Sequence, residues 1–355
     1  MGCYAAMEEK MKRKLAILLI MVLTVTLAAC GGGNGGGGGG TAPGDNGGEQ
    51  TVILMAGSAA APGTQVVRHL ETASQYLRDI GSTVQLELQL SSVLGTEREM
   101  SEAILMDAPI VLSTSDIGIS PLIPEIAFVN FPGLFRDWDD VRENLWYGWA
   151  GEVVTQMVED MGYKMFGFAD NDFRWISNSI GPIHTFEDLA GRSIRVPENQ
   201  LLIDFFTRAG ALPISIAFGE ITTALQQGVV DGQENGPVLT FQSGFHEFNN
   251  YLTASHHGYS THVVIMSPNV FNSLSPTQQA DLTRALTNAV QEQQYYVVNH
   301  MRPAVLAEIA ATPGMEIVPF NEDFYNRVLE IGRDMAASQT WIDLLGQDLL
   351  DKMFP

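Results

Sequence analysis

The stretch VQLELQLSSVLGTEREM, residues 84–100, changes its periodicity halfway. Val84, Leu86, Leu88 and Leu90 alternate with Gln85, Glu87 and Gln89, the period of a strand whose two faces meet different surroundings. Thr96 and Glu99 then stand at the T-x-x-E spacing of a capping box, in which each side chain satisfies a backbone N–H at the other's position, and they open a helix. A strand followed by a helix is half of a β-α-β unit, and the flanking sequence supplies the rest. Upstream, TVILMAG (51–57) is a short apolar run, and Val66, Leu70, Ala73, Leu77 and Ile80 recur at helical spacing until Gly81. Downstream, PIVLSTSD (109–116) reads as a third strand. This β-α-β-α-β order predicts a parallel sheet covered by helices.

The same grammar restarts at Tyr163. YKMFGFA and RWISNS read as strands, HTFEDLAG as a turn capped by Thr185, SIRV as a strand, Leu201–Ala209 as a helix and PISIAF as another strand. Farther on, Ser275 stands at an N-cap and Pro276 at the first helical position of a helix that can run to about Met301. That is long enough to cross from one domain to another. A chain of 355 residues exceeds what one core usually organises, so two α/β domains are expected.

The first thirty residues read as a targeting device. Lys10, Lys12, Arg13 and Lys14 form a basic region ahead of the apolar LAILLIMVLTVTLAA (15–29), too short to span a bilayer, which needs ~20 residues. The segment ends in LAAC, which resembles the lipobox of bacterial lipoproteins; that resemblance implies a signal peptide over 1–29 and a diacylated Cys30 as the new N-terminus. Two acyl chains would give stable membrane attachment. The only other cysteine, Cys3, precedes the cut, so disulfides, a cysteine nucleophile and thiolate zinc sites are excluded from the processed chain. Residues 30–50 are glycine-rich and read as a flexible linker with a reach of roughly 25 Å.

A net charge of −22 repels nucleic acid and anionic lipid at long range, so any anion must be held by local groups. The glycine run gives no dinucleotide fingerprint, having no strand before it and no helix after it. HEFNN (246–250) lacks the second His of H-E-x-x-H, and no G-x-S-x-G elbow occurs. His256, His257 and His262 lie close in sequence, but neighbours on a strand face opposite ways, which argues against a joint metal site. No cofactor, metal or catalytic residue is expected.

A more specific signal comes from RWISNSIGPIHTFEDLAGRSIRVPEN (174–199), GALPISIAFGEITTALQQGVVDGQEN (210–235) and the Tyr251–Met266 region. These resemble the DctP-type substrate-binding subunits of TRAP transporters, tripartite ATP-independent, ion-driven carboxylate importers; the resemblance runs from about Thr51 to the C-terminus. It implies a periplasmic-binding-protein-like fold: two α/β lobes with a ligand cleft between them, joined by hinge strands and a long helix. The expected division is 51–171 with 261–300 as lobe I, and 172–260 with 301–355 as lobe II. The expected function is extracytoplasmic capture of a small organic acid and its delivery to the membrane subunits of such a transporter. A sensor or scaffold module using the same cleft, or a periplasmic enzyme, is the alternative.

The resemblance also implies site residues. Arg195 matches the family arginine that makes a bidentate salt bridge to the ligand carboxylate. By the residues alone, Ile194 and Val196 turned to a core place Arg195 on the opposite face, either at a ligand or in an internal ion pair. Arg174 matches a second family arginine, Asn235 an amide that hydrogen-bonds the ligand, and Phe218 an aromatic that packs on it or fills a core. Gly236 stands where the family runs Asn directly into Pro, so the aim of Asn235 is open. From the first lobe, Ser58, Glu97, Ser115 and Asp116 are candidates because ligands bind beyond the carboxyl ends of strands, with Glu97 readable also as a helix-start charge. His262 is a candidate for the cleft wall.

Overall fold

A computed structural model describes residues 49–354; the leader, Cys30 and the linker up to residue 48 lie outside the described residues. Two sheets organise the chain. The first has the strand order β2-β1-β3-β10-β4, built from β1 (Val52–Gly57), β2 (Val84–Gln89), β3 (Ile110–Ser115), β4 (Lys164–Phe173) and β10 (Tyr259–Met266). Strands β2, β1 and β3 are parallel, with Val52 opposite Val84, as the β-α-β-α-β reading predicts. Strand β10 enters late in the chain and lies antiparallel to both β3 and β4. The second sheet has the order β11-β9-β5-β8-β6-β7, from β5 (Trp175–Asn178), β6 (Ser193–Val196), β7 (Leu212–Ser215), β8 (Gly232–Asn235), β9 (Tyr251–Thr253) and β11 (Glu316–Val318).

Helices close the faces of these sheets for reasons visible in their sequences. Helix α1 (Arg68–Asp79) buries Leu70, Ala73 and Leu77 in one stripe. Helix α2 (Glu97–Leu105) opens on the expected capping box, with the Glu99 N–H donating to Thr96 Oγ1 at 3.2 Å and the Thr96 N–H to Glu99 Oε2 at 3.0 Å. Helix α3 (Gln200–Arg208) is capped by Asn199 and buries Leu201, Leu202, Phe205 and Phe206. Helix α4 (Pro276–Tyr296) begins at the Ser275 cap and shares a core with α1 through Leu282, Leu286, Ala289 and Val290.

The helix does not end near Met301, as periodicity suggested. It widens into a π-type stretch at Val297–Met301 and continues as α5 (Arg302–Ala311). Pro303 has no N–H to give to the turn before it, and a widened turn just ahead of a proline absorbs that missing bond. Among the described residues no helix is long and apolar enough to cross a membrane.

The chain passes between the sheets at three adjacent places: from β4 to β5 at Arg174, from β9 to β10, and from α4 to α5. The Arg174 N–H donates to Gly258 O at 2.8 Å, tying the first two together. Gln293 on α4 accepts from the Asp170 N–H at 2.8 Å and donates to Asp170 O at 2.9 Å, and Arg302 meets Asp172 at 3.0 Å. The C-terminal helices add a fastening: buried Trp341 packs edge-on against Phe131, ring centres 5.5 Å apart, and its Nε1–H reaches Asp204 of α3 at 2.9 Å.

Candidate functional site

A pocket lies between the two sheets. From the side of the second sheet, Arg174, Arg195, Phe218 and Asn235 reach its wall; from the side of the first come Glu97, Ser115 and His262. Ala59, Val66, Ile117, Pro197 and Leu239 supply apolar surface.

Arg195 sits in β6 between Ile194 and Val196, both fully buried in the core. Its guanidinium is only 2% exposed, and its one hydrogen bond among the described residues is from Nε to Ile216 O, 2.8 Å. Neither Nη atom has a protein partner there. Burial lowers its pKa to about 10, partly offset by Glu234 and Glu97, so it stays a cation at neutral pH. A buried cation without an ion pair is costly unless something else supplies the counter-charge.

Arg174 is in a different state. It forms a two-pronged pair with Glu234: Nε contacts Oε2, and Nη2 donates to Oε1 at 2.7 Å, to Glu234 O at 2.9 Å and to Asn235 Oδ1 at 3.1 Å. Glu234 also receives His257 Nε2 at 3.2 Å, whose Nδ1 meets Ser255 Oγ at 2.8 Å. Burial pushes Glu234 up, but Arg174 and His257 outweigh it and hold the carboxyl below its ordinary value. Asn235 spends both ends of its amide internally, with Nδ2 donating to Gln233 Oε1 at 2.6 Å. It lines the cavity without a free polar atom among these contacts. Gly236, the departure from the family pattern, has a packing reason: a Cβ there would lie 2.6 Å from Asp172 Cβ and 2.7 Å from Asn171 O.

On the facing side, Glu97 Oε1 accepts the Ser115 N–H at 2.6 Å and the Thr114 hydroxyl at 3.2 Å, leaving Oε2 unengaged. Burial raises its pKa, opposed by those hydrogen bonds and by Arg195. A Cβ at position 118 would stand 2.4 Å from the Glu97 carboxyl carbon, so any side chain there would push that carboxyl aside. His262 Nδ1 meets Ser113 Oγ at 2.9 Å, and the Ser113 hydroxyl donates to Val66 O at 3.2 Å, which leaves His262 Nε2 with an open lone pair. Burial, with His69 and Arg174 nearby, lowers the pKa of His262 to about 3, so it is neutral.

Phe218 lines the cavity and packs edge-on to Phe245, ring centres 5.8 Å apart. Two candidates lie elsewhere. Ser58 is fully buried in the first turn, accepting from the Ala60 N–H at 3.4 Å. Asp116 is fully buried behind Ser115 and accepts from Ser260 Oγ at 2.7 Å and the Thr261 N–H at 3.3 Å; the helical start that aims Ser115 at the cavity turns Asp116 away. Sequence reading passed over Glu234 and Asn171. Asn171 lines the cavity, gives Nδ2 to Ser260 Oγ at 3.0 Å and keeps a buried Oδ1 without a protein partner. The signal for it was there: Asp170, Asn171 and Asp172 continue an apolar strand yet are almost wholly buried, which polar residues rarely are without a purpose.

The chain matches the sequence profile of DctP, bacterial extracellular solute-binding protein family 7, over residues 57–338. A solute-binding protein of Verminephrobacter eiseniae is 31% identical over 207 residues, 58% of this chain and 62% of that protein, so the match spans less than two thirds of it. The 2,3-diketo-L-gulonate-binding periplasmic protein of Escherichia coli is 29% identical over 231 residues, 62% of this chain and 69% of that one. Among solved structures, a TRAP periplasmic solute binding protein from Polaromonas sp. JS666, bound to D-erythronate, superposes with a TM-score of 0.74 at 26% identity, covering 86% of this chain and 98% of the other.

Proposed function

The chain belongs to the DctP family of bacterial extracellular solute-binding proteins, and we propose that its cavity captures a small organic carboxylate outside the cytoplasm and delivers it to a TRAP-type secondary transporter. The observation that carries this is Arg195: a buried cation on the cavity wall whose Nη atoms have no partner among the described residues. A planar fork of donors in a low-dielectric cavity suits a carboxylate, and two parallel bonds fix its orientation. Arg174, its charge paired with Glu234, contributes its one unengaged nitrogen, Nη1.

The lobes are taken as 51–171 with 261–300 and 172–260 with 301–355, opening when empty and closing around the ligand. Binding rather than catalysis is the activity. Cys30 is taken as the lipid acceptor that tethers the protein to the membrane through its glycine-rich linker.

A thermal-shift screen of organic acids tests the reading. A ligand at a hundred times its dissociation constant adds ~2.7 kcal/mol to stability, so at least one acid is expected to raise Tm by several degrees. A screen in which neutral sugars or amines shift Tm and no carboxylate does would refute it.

A further inference from the structure

We infer that the cavity selects a monocarboxylate bearing hydroxyl groups and discriminates against dicarboxylates; this rests on the carboxylate reading above. Among the described residues, Arg195 is the one cation on the wall without an ion pair. Arg174 is neutralised by Glu234, and Arg98, at the wider mouth, is held by Glu102 at 3.0 Å and Glu198 at 3.1 Å. His262 is neutral. A first carboxylate therefore finds Arg195, and a second finds no free cation.

The second carboxylate would instead meet acids. Glu97 lies on the cavity wall within electrostatic reach of Arg195, and Glu99, Glu198 and Glu220 line the mouth. An uncompensated buried charge is strongly disfavoured, and an adjacent like charge adds to the cost. Beside the donors Arg174 Nη1 and the Ser115 hydroxyl, the polar atoms left on the wall are acceptors: Glu97 Oε2, Asn171 Oδ1 and His262 Nε2 are without a hydrogen-bond partner among the described residues. Acceptors covered by a bound ligand call for donors on it, and leaving them unpaired loses affinity. Hydroxyl groups on the carbon chain meet that need while adding no charge.

The test is calorimetry on the wild-type protein with acids of matched length: butanoate, 4-hydroxybutanoate, threonate and succinate, then hexanoate, gluconate and adipate to cover a longer cavity. In at least one set the hydroxylated monoacid is expected to bind about tenfold or more tightly than both its diacid and its unhydroxylated counterpart. A diacid binding as tightly as its hydroxylated partner would overturn the inference while leaving the carboxylate reading intact. Silence across both sets would overturn the two together. Glu97→Gln is expected to narrow the gap between threonate and succinate, or between gluconate and adipate, by about tenfold; an unchanged gap would remove Glu97 as the discriminating residue.

Discussion

Arg195 and Arg174 are the same residue type on the same wall, yet among the described residues only Arg195 is without an ion pair. The difference was half legible: alternation in SIRV sets Arg195 against Ile194 and Val196, and the structure keeps both neighbours in the core. The Arg174–Glu234 pair depends on the antiparallel register of β5 and β8, which sets Trp175 opposite Asn235 and cannot be read along one strand. A second buried group invites a test. His69 is fully buried, neither ring nitrogen has a partner among the described residues, and burial lowers its pKa to about 3. The folded pKa lies below the unfolded one, so between about pH 6.5 and 3 the unfolded chain holds a proton the folded one lacks, and acid favours unfolding. Relative to His69→Gln, the wild type should lose ~1.4 kcal/mol per pH unit across that window in denaturant melts. A constant difference would mean that His69 is not buried neutral.

At the scale of elements, local chemistry was the readable part. The boxes at Thr96 and Ser275 and the strand–helix alternation of 51–116 are short-range signals, and each element formed where its caps and periodicity put it. Long-range pairing was not readable: β10 enters the first sheet from far along the chain, and α4 passes through a π-type stretch into α5 where Pro303 leaves a carbonyl without its donor. Packing between elements also aims the site. The turn Asp116–Ile119 lies so close to the start of α2 that a Cβ on Gly118 would displace the Glu97 carboxyl. The side chain can swing, so Gly118→Ala should shift Tm by no more than about 4 °C. Affinity for the best hydroxylated acid should fall about tenfold, since a misaimed polar group loses its pairing; calorimetry showing no loss would detach Glu97 from the ligand.

At the scale of the whole molecule, Arg195 is 2% exposed although the pocket it lines runs on into a wider mouth. Few direct ties hold the mouth: the Arg98–Glu198 pair is half exposed, and Asn199 Nδ2 donates to Ser120 Oγ at 3.1 Å. Exposed pairs contribute ~0–1 kcal/mol, so in the proposed two-lobe mechanism the bound ligand adds to the bias toward closure. Closure in turn strengthens the carboxylate–guanidinium pair by excluding water. The sequence showed the strand–helix grammar restarting at Tyr163, but the first strand of that restart, β4, joins the first sheet, and the second sheet begins at Trp175. The gap between them became a site only once both sheets were in place. Titration calorimetry of the best acid against wild type, Arg195→Ala and Arg195→Lys tests the central claim most directly. The account predicts a loss of roughly 2–5 kcal/mol for alanine and incomplete recovery with lysine, which lacks the fork. An alanine variant that folds and binds with an unchanged dissociation constant would contradict it.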